Sequence, residues 1–132
     1  MYSIYRPPID REIVGPVTLS PEWLDIAPNP TLKPSRTVQQ IILDLGEPVS
    51  VKTQDAMVSL SDGSVVYVEV QLIDDHGNNY YFHPTSNPSP TEVGFHRAGG
   101  VLPEDRVYHT MRLRSDRPLR CSRIRWYCFD IK

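Results

Sequence analysis

Cysteine is scarce: the chain holds only Cys121 and Cys128, too few for the multi-bridge framework of a small secreted domain. The two lie seven apart, so on a single strand they point to opposite faces and stay free thiols. Long apolar runs are missing as well. No window approaches the run of about 18 residues that a membrane span needs, and the stretch Met1 to Pro8 lacks the apolar centre of a secretory leader. No membrane association is therefore expected, with cytoplasmic residence as the default. Missing too are a phosphate-cradling glycine loop, a Gly-x-Ser-x-Gly elbow, a His-Glu-x-x-His pair and a dinucleotide fingerprint. His76, His83, His96 and His109 fall at no helical ligand spacing and form no zinc-finger pairing with the cysteines. Catalysis is not expected, since no carboxylate pair stands out among the 16 acidic residues to suggest a hydrolase.

Proline is abundant where those features are absent. The 132 residues contain 13 prolines, roughly twice the usual share of about 5%. They crowd residues 1–36 and mark a later loop at Pro84, Pro88 and Pro90, leaving the stretches from Val49 to His83 and beyond Pro118 free. Proline removes a ladder donor, so those free stretches are where central strands can run. A mass of 15.1 kDa fits one domain spanning 1–132. Within it, 1–36 reads as a proline-rich lead-in and 37–132 as the main sandwich.

The net charge of −2 conceals an asymmetry. Residues 1–96 carry 5 Lys+Arg against 12 Asp+Glu, and residues 97–132 carry 9 against 4. Acidic strands paired with basic ones explain this, because like charges set opposite each other destabilise a sheet. An arginine-lined binding face is the alternative. The acidic two thirds and a pI near 6.0 argue against nucleic acid as a partner.

The dominant hydrophobic period is two. Val66, Val68, Val70 and Leu72 alternate with Tyr67, Glu69 and Gln71 in the strongest strand, and Asp75-His76-Gly77-Asn78 turns it into a second strand from Asn79 to His83. Val38 to Leu45 is another strand, with weaker ones at Val49 to Thr53, Ala56 to Leu60 and Glu92 to Arg97. Two long strands finish the chain. Val107, His109, Met111 and Leu113 share one face of the first; Ile124, Trp126 and Cys128 share one face of the second; Ser115 to Pro118 is expected to join them as a hairpin. Ser20 as N-cap and Pro21 at the first turn predict one short helix near 21–26. The fold class is therefore all-β: an antiparallel β-sandwich or jelly roll of about eight strands with at most one short helix.

Gln40-Ile41-Ile42-Leu43-Asp44-Leu45-Gly46-Glu47-Pro48-Val49 resembles the opening strand and turn of discoidin-type and other galactose-binding-like jelly rolls. Arg112 to Asp116 together with Cys121 to Trp126 resembles their closing hairpin, and Val68 to Tyr80 is similar to the central hairpin of carbohydrate-binding modules of that fold. The resemblance implies a jelly roll and glycan binding; folds of this kind often carry a structural calcium, and no other cofactor is expected. The chain departs from discoidin domains in having no early cysteine to tie the first strand to the last.

On the expected closing hairpin, Arg112, Arg114, Arg123, Arg125 and Tyr127 point away from the core. Four guanidinia on one two-strand face suit a carboxylate, sulfate or phosphate, and the tyrosine can stack on a sugar. The same arginines serve equally as partners for the acidic strands, with Glu69 the outward candidate. Asp74, Asp75, Asn78 and Asn79 offer four oxygen side chains to a hard cation, but they are also what a tight turn needs, and no residue is assigned to a metal. His109 and Trp126 fall in the inward phase and read as core. Two functions follow: a non-catalytic binding module for a carbohydrate or other anionic ligand, or an assembly protein that meets another subunit or a second copy through its arginine face or edge strands.

Overall fold

In the computed structural model, which describes residues 5–52 and 56–131, the strongest alternation in the sequence becomes the longest strand, β7 (Val65–Asp74). Val66, Val68, Val70 and Leu72 are each at most 3% exposed. Burying a valine or leucine this fully contributes about 1.5–3 kcal/mol, which sets the face that β7 turns inward. The other strands are β1 (Ile9–Val14), β2 (Val17–Leu19), β3 (Leu24–Ile26), β4 (Val38–Asp44), β5 (Val49–Lys52), β6 (Met57–Leu60), β8 (Asn79–Ser86), β9 (Glu92–Arg97), β10 (Tyr108–Ser115), β11 (Leu119–Cys121) and β12 (Arg123–Phe129). All pairings are antiparallel. The sheet runs β1-β12-β4-β9-β8-β7-β10-β3, with β5 and β6 joined to the start of β7 and a separate β2-β11 ribbon.

The sheet curls around one apolar cluster that takes Ile41 and Leu43 from β4, Phe82 from β8, Phe95 from β9, Met111 and Leu113 from β10, and Ile124 and Trp126 from β12. The architecture is all-β and sandwich-like, as expected, with twelve strands where about eight were read. Among the additional ones, β2, β3 and β11 are three residues each and carry too little alternation to be seen in sequence. Thr53, the expected end of one weak strand, and the start Met1 to Ile4 lie outside the described residues.

Four expectations need correction. No helix occupies 21–26 or any other described segment. Ser20 Oγ does accept the Glu22 N–H at 3.3 Å, but the chain then extends as β3, pairing Leu24, Asp25 and Ile26 with Leu113, Arg112 and Met111. Two helical turns before Pro28 cannot repay helix nucleation, whereas the open side of β10 satisfies the backbone at once. The proline-rich segment is likewise no lead-in. β1 pairs along β12, β3 edges β10, and Leu32 bridges Tyr108, so residues 9–32 form both edges of the sheet.

The third correction concerns His109. A bulge between Tyr108 and Thr110 shifts the phase by one residue, so Tyr108 is fully buried and His109 is exposed. Tyr108 brings the larger apolar surface, and its hydroxyl donates to the Pro103 carbonyl at 3.2 Å. Lastly, the two final long strands are not hairpin neighbours. β10 lies between β7 and β3, and β12 lies between β1 and β4.

Candidate functional site

The expected arginine face is thus divided in two. Arg112 and Arg114 project from the outer face of β10, while Arg123, Arg125 and Tyr127 project from β12, with β4, β9, β8 and β7 intervening along the sheet. In each half the strand register sets carboxylates against the guanidinia. Arg112 faces Asp25, Arg114 faces Glu69, and Arg123 faces Asp44.

In the β12 half, Arg125 lies across Asp10 and Glu92, at 2.6 Å from each. Arg123 is 3.5 Å from Asp44 and 3.9 Å from Glu92. The Arg125 side chain is only 12% exposed. Burial pulls its pKa down, but the hydrogen bonds to Asp10 and Glu92 outweigh that and leave it raised. Tyr127 is half-buried and packs against Phe129, ring centroids 5.7 Å apart. Arg125 is thus held in ion pairs although its Nε is buried without a hydrogen-bond partner among the described residues, whereas the Arg123 side chain is 45% exposed.

The β10 half is more open. Arg112 donates to Asp25 at 2.7 Å and Arg114 donates to Glu69. Both guanidinia lie over the Trp23 ring, 4.5 and 4.2 Å from its centroid, a cation–π arrangement. Beside them Pro21, Tyr67, Glu69, Arg114, Ser115 and Asp116 line a cleft of about 270 Å³. Tyr67 is 40% exposed. Asp116 is fixed there, because its Oδ1 accepts the Tyr67 N–H and its own N–H donates to the Tyr67 carbonyl, both at 3.1 Å. Among the described residues only Nε of the Arg114 guanidinium donates a hydrogen bond, so the residue keeps terminal N–H donors beside the cleft it lines.

Arg114 is the one predicted site residue in this cleft. Trp23 is one of the large aromatics a sugar site could use but falls in the expected helix, and Asp116 falls in an expected turn, so neither is assigned to the site from sequence. Tyr67 was legible as an outward residue of the strongest strand, although nothing local marked it as part of a cleft.

The remaining candidates resolve into structural roles. Asp74 turns inward and is fully buried, with Oδ1 accepting the His76 and Asn78 N–H groups at 2.8 and 2.9 Å. Asn79 donates to Gln71. Among the described residues no three His, Cys, Asp or Glu side chains group as a metal site would require. Cys121 and Cys128 lie on different strands, both buried and free, and burial pushes both thiols up to about 12, which keeps them from acting as nucleophiles at neutral pH. His83 and His96, which bracket the proline loop, are cross-strand partners, with His96 half-buried against Thr85. No described helix is long and apolar enough to cross a membrane.

Gly94 on β9 makes room for the Gln40 amide, which donates to Ser86 Oγ at 2.8 Å. A methyl group at position 94 would collide with both side chains. Gly94→Ala is expected to break that hydrogen bond and cost about 1–2 kcal/mol, measurable by urea denaturation.

The chain matches no family model, no curated protein and no solved structure.

Proposed function

We propose that this protein is a non-catalytic binding module that holds one unit of a neutral carbohydrate in the cleft beside Tyr67. The observation that carries this reading is an exposed aromatic ring next to a guanidinium and two carboxylates in one cleft. A sugar presents an apolar C–H face and a rim of hydroxyls that both donate and accept. Tyr67 offers the stacking plate, Arg114 the donors, and Glu69 and Asp116 the acceptors. Each arginine of the expected face already has its carboxylate, and this charge balance favours a neutral polyhydroxylated ligand over an anionic one. The cleft lies just below the usual range for ligand sites of about 300–1,000 Å³, which suits a single ring. The resemblance of Gln40–Val49 and Val68–Tyr80 to galactose-binding-like modules points the same way.

Titration calorimetry with a panel of neutral mono- and disaccharides tests it. Tyr67→Ala is expected to weaken binding about tenfold with an unchanged unfolding midpoint, since the ring is largely outside the core. Equal affinity in wild type and Tyr67→Ala, or no binding by any neutral sugar, overturns the proposal. Assembly is the second reading and rests on β1, which ends the sheet with one side unpaired among the described residues. It predicts a species larger than a monomer by size-exclusion chromatography at all sugar concentrations.

A further inference from the structure

Away from the Tyr67 cleft, a second cavity opens where β1 meets the connector that follows β3. Its volume is about 300 Å³, and Ile9, Arg11, Pro30, Leu32, Lys33 and Trp126 are among the residues that line it. The two cationic residues differ from the arginines described above. Among the described residues neither Arg11 nor Lys33 has a carboxylate within ion-pair distance. Arg11 also stands in the inward phase of its strand, directly opposite Trp126 in register, whereas Asp10 and Glu12 point outward. The neighbouring cavity shares Ser35 and contains Arg36, which donates to the Pro7 and Ser35 carbonyls.

Two uncompensated cations on the wall of a cavity that isoleucine, leucine, proline and tryptophan also line repel each other. A compact anion between them relieves that repulsion, and arginine's planar fork suits a carboxylate or phosphate. The apolar lining suits a hydrocarbon body on the same molecule. We infer that this cavity is a second binding site, for a small organic anion whose carboxylate or phosphate head meets Arg11 and Lys33 and whose flat apolar body lies toward Trp126. Thr31 and Ser35 also line the cavity or its rim and bring hydroxyl donors to the head group.

Phenyl phosphate is the probe, with inorganic phosphate as head alone and phenol as body alone, all at constant ionic strength. At about ten times its dissociation constant, phenyl phosphate is expected to raise the unfolding midpoint by about 5 °C. Lys33→Gln and Arg11→Gln are each expected to weaken its binding at least about tenfold, while Arg112→Gln and Tyr67→Ala bind it as wild type does. In a Trp23→Phe background Trp126 is the only tryptophan, and its emission should change on binding. If Arg11→Gln fails to fold, Lys33→Gln decides, because Lys33 is exposed. No binding at about 10 mM, an undiminished response in Lys33→Gln, or an equal response to phenol overturns the inference. Because the two cavities share no residue, that failure leaves the sugar proposal standing, and the reverse holds as well.

Discussion

Arg125→Ala is expected to lower stability by about 3–5 kcal/mol and the unfolding midpoint by about 10 °C or more. The size of the loss comes from what the arginine leaves behind. Its side chain is 12% exposed and that of Glu92 is 8% exposed, so Glu92 keeps little solvation once its partner at 2.6 Å is gone. Arg123, at 3.9 Å, is too distant to replace a direct hydrogen bond. Asp44 stands beside Glu92 in register, which adds like-charge repulsion. Adding Glu92→Gln to Arg125→Ala should recover part of the loss, with a coupling of about 1–3 kcal/mol in a double-mutant cycle. Arg112→Ala is the contrasting case. Asp25 is 57% exposed, so that pair is worth under about 1 kcal/mol in ionic terms. Chemical denaturation of the four variants checks the ordering, and a loss below about 1 kcal/mol in Arg125→Ala would show that the β12 network is not what holds that face.

This contrast also separates what sequence patterning can reveal from what it cannot. Alternation reports which face a residue takes, because the side-chain period of a strand is two. Val66, Val68, Val70, Leu72, Ile124 and Trp126 are all buried as the pattern implies, and Glu69 does pair with Arg114. Alternation says nothing about which strand lies next door. The turn after Ser115 looks like a hairpin, yet the chain first leaves to pair β11 with β2 and only then enters β12. Arg112, Arg114, Arg123, Arg125 and Tyr127 alternate with buried residues as the pattern implies, but the two strands that carry them are not adjacent. A single bulged residue was enough to exchange Tyr108 for His109, since local composition does not reveal a bulge.

Charge averaging hid the second cavity in a similar way. Residues 1–96 look acidic as a block, but their 5 basic residues are not evenly spread. Arg6, Arg11, Lys33 and Arg36 line two cavities that share Ser35. They come together because β1 and the connector pack side by side at one edge of the sheet, a long-range juxtaposition with no sequence period of its own.

Acid sensitivity is expected to centre on Asp74. Its side chain is fully buried at the end of β7, and burial by itself would raise its pKa. Hydrogen bonds from the Asn78 N–H, the Tyr80 hydroxyl, the His76 N–H and the Asn78 amide outweigh burial and bring it from 3.8 to about 2. As pH falls, the unfolded chain takes up the proton first. The folded state's advantage, about 2 kcal/mol, is thus fully present above about pH 4 and disappears as pH falls through 2. Asp74→Asn keeps an acceptor for the turn N–H groups, but it loses the charge that faces Arg106 at 3.5 Å and removes this pH dependence. Asp74→Ala should cost more, about 3 kcal/mol or above, because the Tyr80 hydroxyl, 2.8 Å from Oδ2, loses its acceptor, while its ring stays packed edge-on against the buried Tyr108 ring, centroids 5.4 Å apart. Urea denaturation between about pH 2 and 5 should show a steep fall in stability for wild type and a flatter one for Asp74→Asn. Parallel curves would move the acid-labile group elsewhere and leave the turn as a merely neutral connection between β7 and β8.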